Sequence, residues 1–235
     1  MAKSEKTTLS FKHRILFMLV ALVIISGSVC GLIVWKLGGD GDKTEGNFPI
    51  YLKNGISIEQ AEAYTGPFWE DGTDRAVEGV WQVTLLNTSQ KDIQYMKLVA
   101  WGPSGEALGE FELTTLTAGS TIRVLESSAA QLPENWDTCT YTIENLAYLQ
   151  QERSIYSDIF DLSVADQRLR LENHSQSDIE NDIYVYYKVV ENQVLMGGIT
   201  YRVKFAGGLA AGERREEQTQ HFDPDTCQIM YLTYQ

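Results

Sequence analysis

The 235 residues, 43% apolar and 11% aromatic, are enough to bury one or two cores, which excludes intrinsic disorder for most of the chain. Residues 1 to 36 hold five Lys/Arg against one acidic residue. The rest holds 14 basic and 31 acidic residues, a net charge of −17, which the +4 of the first 36 residues brings to −13 for the whole. A field of that sign repels polyanions, so nucleic acid is excluded as a partner, and three cysteines exclude a small disulfide scaffold.

Residues 1–14 form a basic tail carrying Lys3, Lys6, Lys12 and Arg14. From Ile15 to Trp35 no residue is charged. At 1.5 Å per residue a helix there is about 31 Å long, the thickness of the hydrocarbon layer, so the expected transmembrane helix runs from Ile15 to Lys36. The basic flank places the N-terminus in the cytoplasm and everything after the helix outside. Ser26-Gly27-Ser28 offers a signal-peptidase site, but the apolar run continues through Leu32 to Trp35, unlike a cleaved leader. Val29 before Cys30 likewise argues against lipidation there. Tyr231–Gln235 carries no sorting signal, so this helix is the expected anchor.

Residues 37–66 read as a stalk. Leu37–Gly46 is rich in Gly and charge, and Ser57-Ile58-Glu59-Gln60 has the form of a capping box that predicts a short helix over Ala61–Tyr64. Beyond Gly66 the apolar period is two. Val77, Gly79, Trp81, Val83 and Leu85 are expected on one face of a strand, and Ile93, Tyr95, Val99 and Trp101 on one face of the next. Turns at Gly102–Gly105 and Thr117–Ser120 separate short strands, the pattern of a sandwich or barrel.

The pattern then repeats. Asn87-Thr88-Ser89-Gln90-Lys91-Asp92-Ile93 is answered by Asn173-His174-Ser175-Gln176-Ser177-Asp178-Ile179, Ala118-Gly119 by Ala211-Gly212, and Asp137-Thr138-Cys139 by Asp225-Thr226-Cys227. The fold expected is all-β: two tandem small β-sandwich domains, 67–150 and 151–235. The second has a longer central hairpin through Val194–Gly198 and a shorter loop before its cysteine. Asx-turn chemistry accounts for both asparagine strings, although each is also formally a glycosylation sequon. The strings Gly66–Gly72, Ile122–Glu126 and Gly197–Val203, with the asparagine turn, resemble membrane-anchored envelope proteins of Gram-positive bacteria carrying tandem FxLYD-type, immunoglobulin-like repeats. That resemblance implies a bacterial surface location and no assigned activity. The first copy departs from the FxLYD pattern at Leu98-Val99-Ala100-Trp101.

Candidate chemistry is sparse. His13 is on the cytoplasmic side, His174 is a turn residue opposite Thr88, and His221 sits in a polar loop with Asp223 and Asp225 but without a second ligand at zinc spacing. Glu70–Asp74 is acidic but lacks the spacing of a calcium loop, and Ser104 lacks the strand-to-helix context of a nucleophile elbow. Catalytic, cofactor and metal residues are therefore expected to be none. Cys139 and Cys227 are either two buried small hydrophobes or, if the copies face each other, a disulfide. On one strand, alternation sends Tyr184 and Tyr186 to the face opposite Tyr187, making them either core or a partner surface. The expected function is a non-catalytic, single-pass extracytoplasmic interaction module with an envelope protein as partner, accessory or adhesive; the alternative is a ligand- or ion-binding sensor domain.

Overall fold

The computed structural model describes residues 48–165 and 167–234. The basic tail, the transmembrane helix expected from Ile15 to Lys36 and the expected stalk as far as Asn47 lie outside the described residues. Among the described residues, no helix is long and apolar enough to cross a membrane. Residues 46–235 form one compact unit.

The fold is all-β. In the first half the strands are β1 (Ile50–Tyr51), β2 (Ile56–Pro67), β3 (Ala76–Asn87), β4 (Ile93–Trp101), β5 (Ala107–Leu116), β6 (Thr121–Leu125) and β7 (Thr140–Tyr148). The second half contains β8 (Phe160–Ala165), β9 (Arg168–Asn173), β10 (Ile183–Glu191), β11 (Val194–Phe205), β12 (Arg214–Gln218) and β13 (Cys227–Tyr234). Three sheets result. The largest has the order β1-β2-β3-β6-β11-β10-β13, and two three-stranded sheets, β5-β4-β7 and β12-β9-β8, cover it. Strand order matches between the halves: β2-β3-β6 and β5-β4-β7 in one, β8-β9-β12 and β11-β10-β13 in the other.

Each covering sheet closes its own core. Trp81, Val83, Leu85, Ile122 and Val124 meet Met96, Leu98, Phe111 and Leu113 in the first, with Trp81 edge-on to Phe111. Val185, Tyr187, Val203 and Phe205 meet Leu169 and Leu171 in the second. Alternation along β10 sends Ile183, Val185 and Tyr187 into the second core, while Val190 packs on the first. The two covering sheets therefore lie on opposite faces of the shared sheet.

Two sequence expectations change. Residues 57–64 are strand, not helix: Ile56, Ile58 and Ala61 point into the first core, and β2 pairs with β3 from Ile56 to Pro67. Ser57, placed to cap a helix, instead donates its hydroxyl to the Glu59 carboxylate. A helix of one or two turns has little stability of its own, so sheet pairing wins. The first sandwich thus begins before residue 67. On β4 the inward residues are Met96, Leu98 and Ala100, with Ile93, whereas Tyr95 faces outward, because a register shift against β7 between Ile93 and Tyr95 resets the alternation.

The asparagine turns are built alike. Asn87 and Asn173 are fully buried. Asn87 Nδ2 donates to Lys91 O at 2.9 Å and Leu116 O at 3.3 Å, while Oδ1 accepts from Ser89 N and Oγ. Asn173 repeats this toward Ser177 O at 2.8 Å, Leu209 O at 3.1 Å, and Ser175. Asp92 and Asp178 each accept a backbone N–H at 2.8 Å, from Ala118 and Ala211. A side-chain amide buried and bonded in this way has no position for a glycan in the folded chain.

Candidate functional site

The halves meet where the hairpin of β10 and β11 reaches beyond the second core. Its distal part pairs in parallel with β6, Leu195 opposite Ile122 and Met196 opposite Arg123, and Leu195 is buried in the first core. Between Met196 and Tyr201 the strand bulges: β10 advances from Tyr187 to Val189 while β11 advances from Tyr201 to Met196. The bulge, Gly197–Thr200, is the centre of the junction.

Lys188 and Glu70 hold this bulge from two sides. Lys188, fully buried, donates from Nζ to the carbonyls of Gly197, Gly198 and Ile199 at 3.0, 3.1 and 2.8 Å. Glu70, on the loop between β2 and β3, accepts Leu125 N at 2.8 Å through Oε1 and Gly198 N at 2.6 Å through Oε2. One carboxylate therefore ties the first half's loop and β6 to the second half's bulge. Thr114 Oγ1 donates to Gly198 O at 3.0 Å, and Thr200 Oγ1 donates to Thr114 O at 3.1 Å. Burial pushes the Glu70 carboxyl up to about 7, against the pull of its two N–H donors and Lys188, and pushes the Lys188 ammonium down to about 7 against the pull of Glu70. Three acceptors around Nζ and two donors on the carboxylate suit the charged forms of both.

Beside this clasp lies a cleft of about 310 Å³ lined by Glu70, Tyr95, Glu112, Thr114, Gly198 and Ile199. A second contact between the halves is His221 Nδ1 to Asp74 Oδ2, 2.7 Å, which joins the two acidic loops singled out in the sequence. A further contact between the halves is made by Arg153 in the linker, which binds Asp92 at 2.5 Å and Met230 O at 3.3 Å.

The sequence-nominated residues fall as follows. Cys139 and Cys227 are free thiols, not a disulfide: Cys139 is buried in the first core and Cys227 packs against the second. Burial pushes both thiols up. Cys227 Sγ approaches the backbone carbonyl of His221 at 3.3 Å. Tyr187 is core, whereas Tyr184 and Tyr186 are half-buried on the other face, Tyr186 stacked on Tyr231 at 4.4 Å and Tyr184 under Arg202 at 4.8 Å. Among the described residues, no three His, Cys, Asp or Glu side chains converge as a metal site. Sequence reasoning missed Lys188, although a single lysine within the apolar and aromatic run Ile183–Val190 is a signal that burial or pairing awaits it. Glu70 was visible only as one of several loop acids.

No family model matches the chain, and no curated protein matches it. The three strings that carry the envelope-protein resemblance, Gly66–Gly72, Ile122–Glu126 and Gly197–Val203, meet at the Glu70 carboxylate through Leu125 and Gly198.

Proposed function

We propose that this chain is a single-pass, membrane-anchored extracytoplasmic interaction module of a bacterial envelope, non-catalytic, built from two tandem immunoglobulin-like sandwiches. The observation that carries the proposal is the shared seven-stranded sheet, in which the tip of the second half's hairpin completes the first half's core. A pair of sandwiches stitched in this way presents both surfaces in one fixed geometry, which lowers the ordering cost of binding a partner. Matching strand order and matching asparagine turns support the duplication. The apolar segment 15–36 and the acidic exterior support the placement. Protonated thiols and a His221 ring engaged by Asp74 give a nucleophile little activation. Mild crosslinking of intact membranes is expected to recover a discrete envelope protein; recovery of none counts against this function. The cleft at Glu70 favours a second reading, a ligand- or ion-binding sensor. Thermal shifts with Ca²⁺, Zn²⁺ or glycans would support it, and a flat screen would dismiss it.

A further inference from the structure

Strand order gives β11 in the second half the place that β5 holds in the first. The outer edge of β5 is not left open. The chain leaving β6 crosses to it, Ser127 N donating to Glu110 O at 2.9 Å while the Glu126 carboxylate accepts Glu110 N at 3.3 Å. In the second half the chain leaving β12 goes elsewhere: Thr219 N donates to Gln167 O, and a short turn at Asp223–Thr226 leads directly into β13. β6 pairs with β11 only at Leu195 and Met196. Among the described residues, Tyr201–Phe205 therefore pairs with β10 on one side and with no strand on the other.

Along this bare edge runs a groove of about 330 Å³, lined by Tyr201, Arg202, Val203 and Lys204 of β11 and by Glu217 and Gln218 of β12. Just past Phe205, Arg215 donates to Ala206 O at 2.6 Å, and the His221–Asp74 pair stands near Tyr201 at the start of the edge. The Tyr201 hydroxyl is buried there without a hydrogen-bond partner, a group that native folds ordinarily satisfy. On the alternate positions, Lys204 binds Asp182 at 2.6 Å, while Arg202 lies over Tyr184 and makes no ion pair among the described residues.

We propose that this edge accepts an added strand: an extended segment of another protein in which apolar residues alternate with carboxylates. It would cover β11 as Glu126–Ser127 covers β5. Main-chain hydrogen bonds to Tyr201–Phe205 supply affinity, and alternation supplies selectivity. One set of side chains descends beside Tyr201 and Val203, and the other, acidic, lies beside Arg202 and Lys204. The overall charge of −13 does not forbid this, because at physiological salt charges beyond roughly 8 Å are screened, and beside this edge Arg202 has no ion pair among the described residues to set against Glu217. The inference rests on the interaction-module function and names its surface.

The test uses the full chain in nanodiscs and hydrogen exchange read by mass spectrometry, with an end-capped hexapeptide of alternating Val and Glu at millimolar concentration and its Val/Lys counterpart as probes. Saturable protection of the segment 199–206, on the order of tenfold, is expected with the Val/Glu peptide and not with the Val/Lys one. The R202E/K204E variant should reverse that preference. Protection by both peptides or by neither overturns the proposal. So does protection that appears on raising the protein concentration alone, because the occupant is then a second copy. If crosslinking still recovers a partner elsewhere on the module, the general function survives the loss of this surface.

Discussion

At Gly198 the backbone lies so close to the first half that a Cβ would sit 1.9 Å from the carbonyl oxygen of Glu112, and Gly197 beside it has φ +75 with Trp69 packed over it. The obstruction at Gly198 is main chain, which cannot swing aside. We therefore expect Gly198→Ala to cost about 3 kcal/mol, measured as a lower urea midpoint, because the junction must part to admit one methyl group. Glu70 and Lys188 give the same spot a pH signature. A raised carboxyl favours the fold below its unfolded value near 4.5 and loses that contribution as pH rises through about 7. A depressed ammonium favours the fold above its unfolded value near 10.5 and loses that contribution as pH falls through about 7. Together they contribute least near pH 7. Urea midpoints of the wild type minus those of E70Q/K188M should therefore pass through a minimum near neutrality, and a monotonic difference would refute the assignment. Much of this was not legible in the chain. The turn at Asn87 can be read because its partners lie within a few residues. The burial of Glu70, by contrast, depends on Leu125 and Gly198, 55 and 128 positions away.

The elements that decide the architecture are the two places where the halves differ. The longer hairpin through Val194–Gly198 was visible in the sequence; its use, pairing in parallel with β6, was not, because parallel pairing between distant strands leaves no local pattern. The shorter segment before Cys227 was also visible, and its consequence is the uncovered edge of β11. Strand β2 shows the reverse failure. Its capping-box string was read from local chemistry, and long-range pairing with β3 overrode it. Since Leu195 is buried in the first core while its own strand continues into the second, it couples the halves. Calorimetry should show residues 48–234 melting in one transition. Leu195→Asp, which buries a charge there, should split it into two, and a single unsplit peak in the variant would show that the hairpin tip does not join them.

For the whole molecule, the layout combines the membrane segment expected from residues 15–36 with a body whose two larger cores lie on opposite faces of one sheet. Alternation and turn chemistry were enough to indicate an all-β body. The continuity of the sheet depends on tertiary packing that no single segment encodes. If the junction is as firm as its buried bonds imply, the halves have no cheaper way to separate than global unfolding. Native-state hydrogen exchange measures this directly at the amides of Leu125, Met196 and Gly198. We expect them to exchange with the same opening free energy as Val83 and Val185 in the two cores. Exchange at these three amides about a hundredfold faster than in both cores would show that the halves part on their own and would contradict a single rigid module.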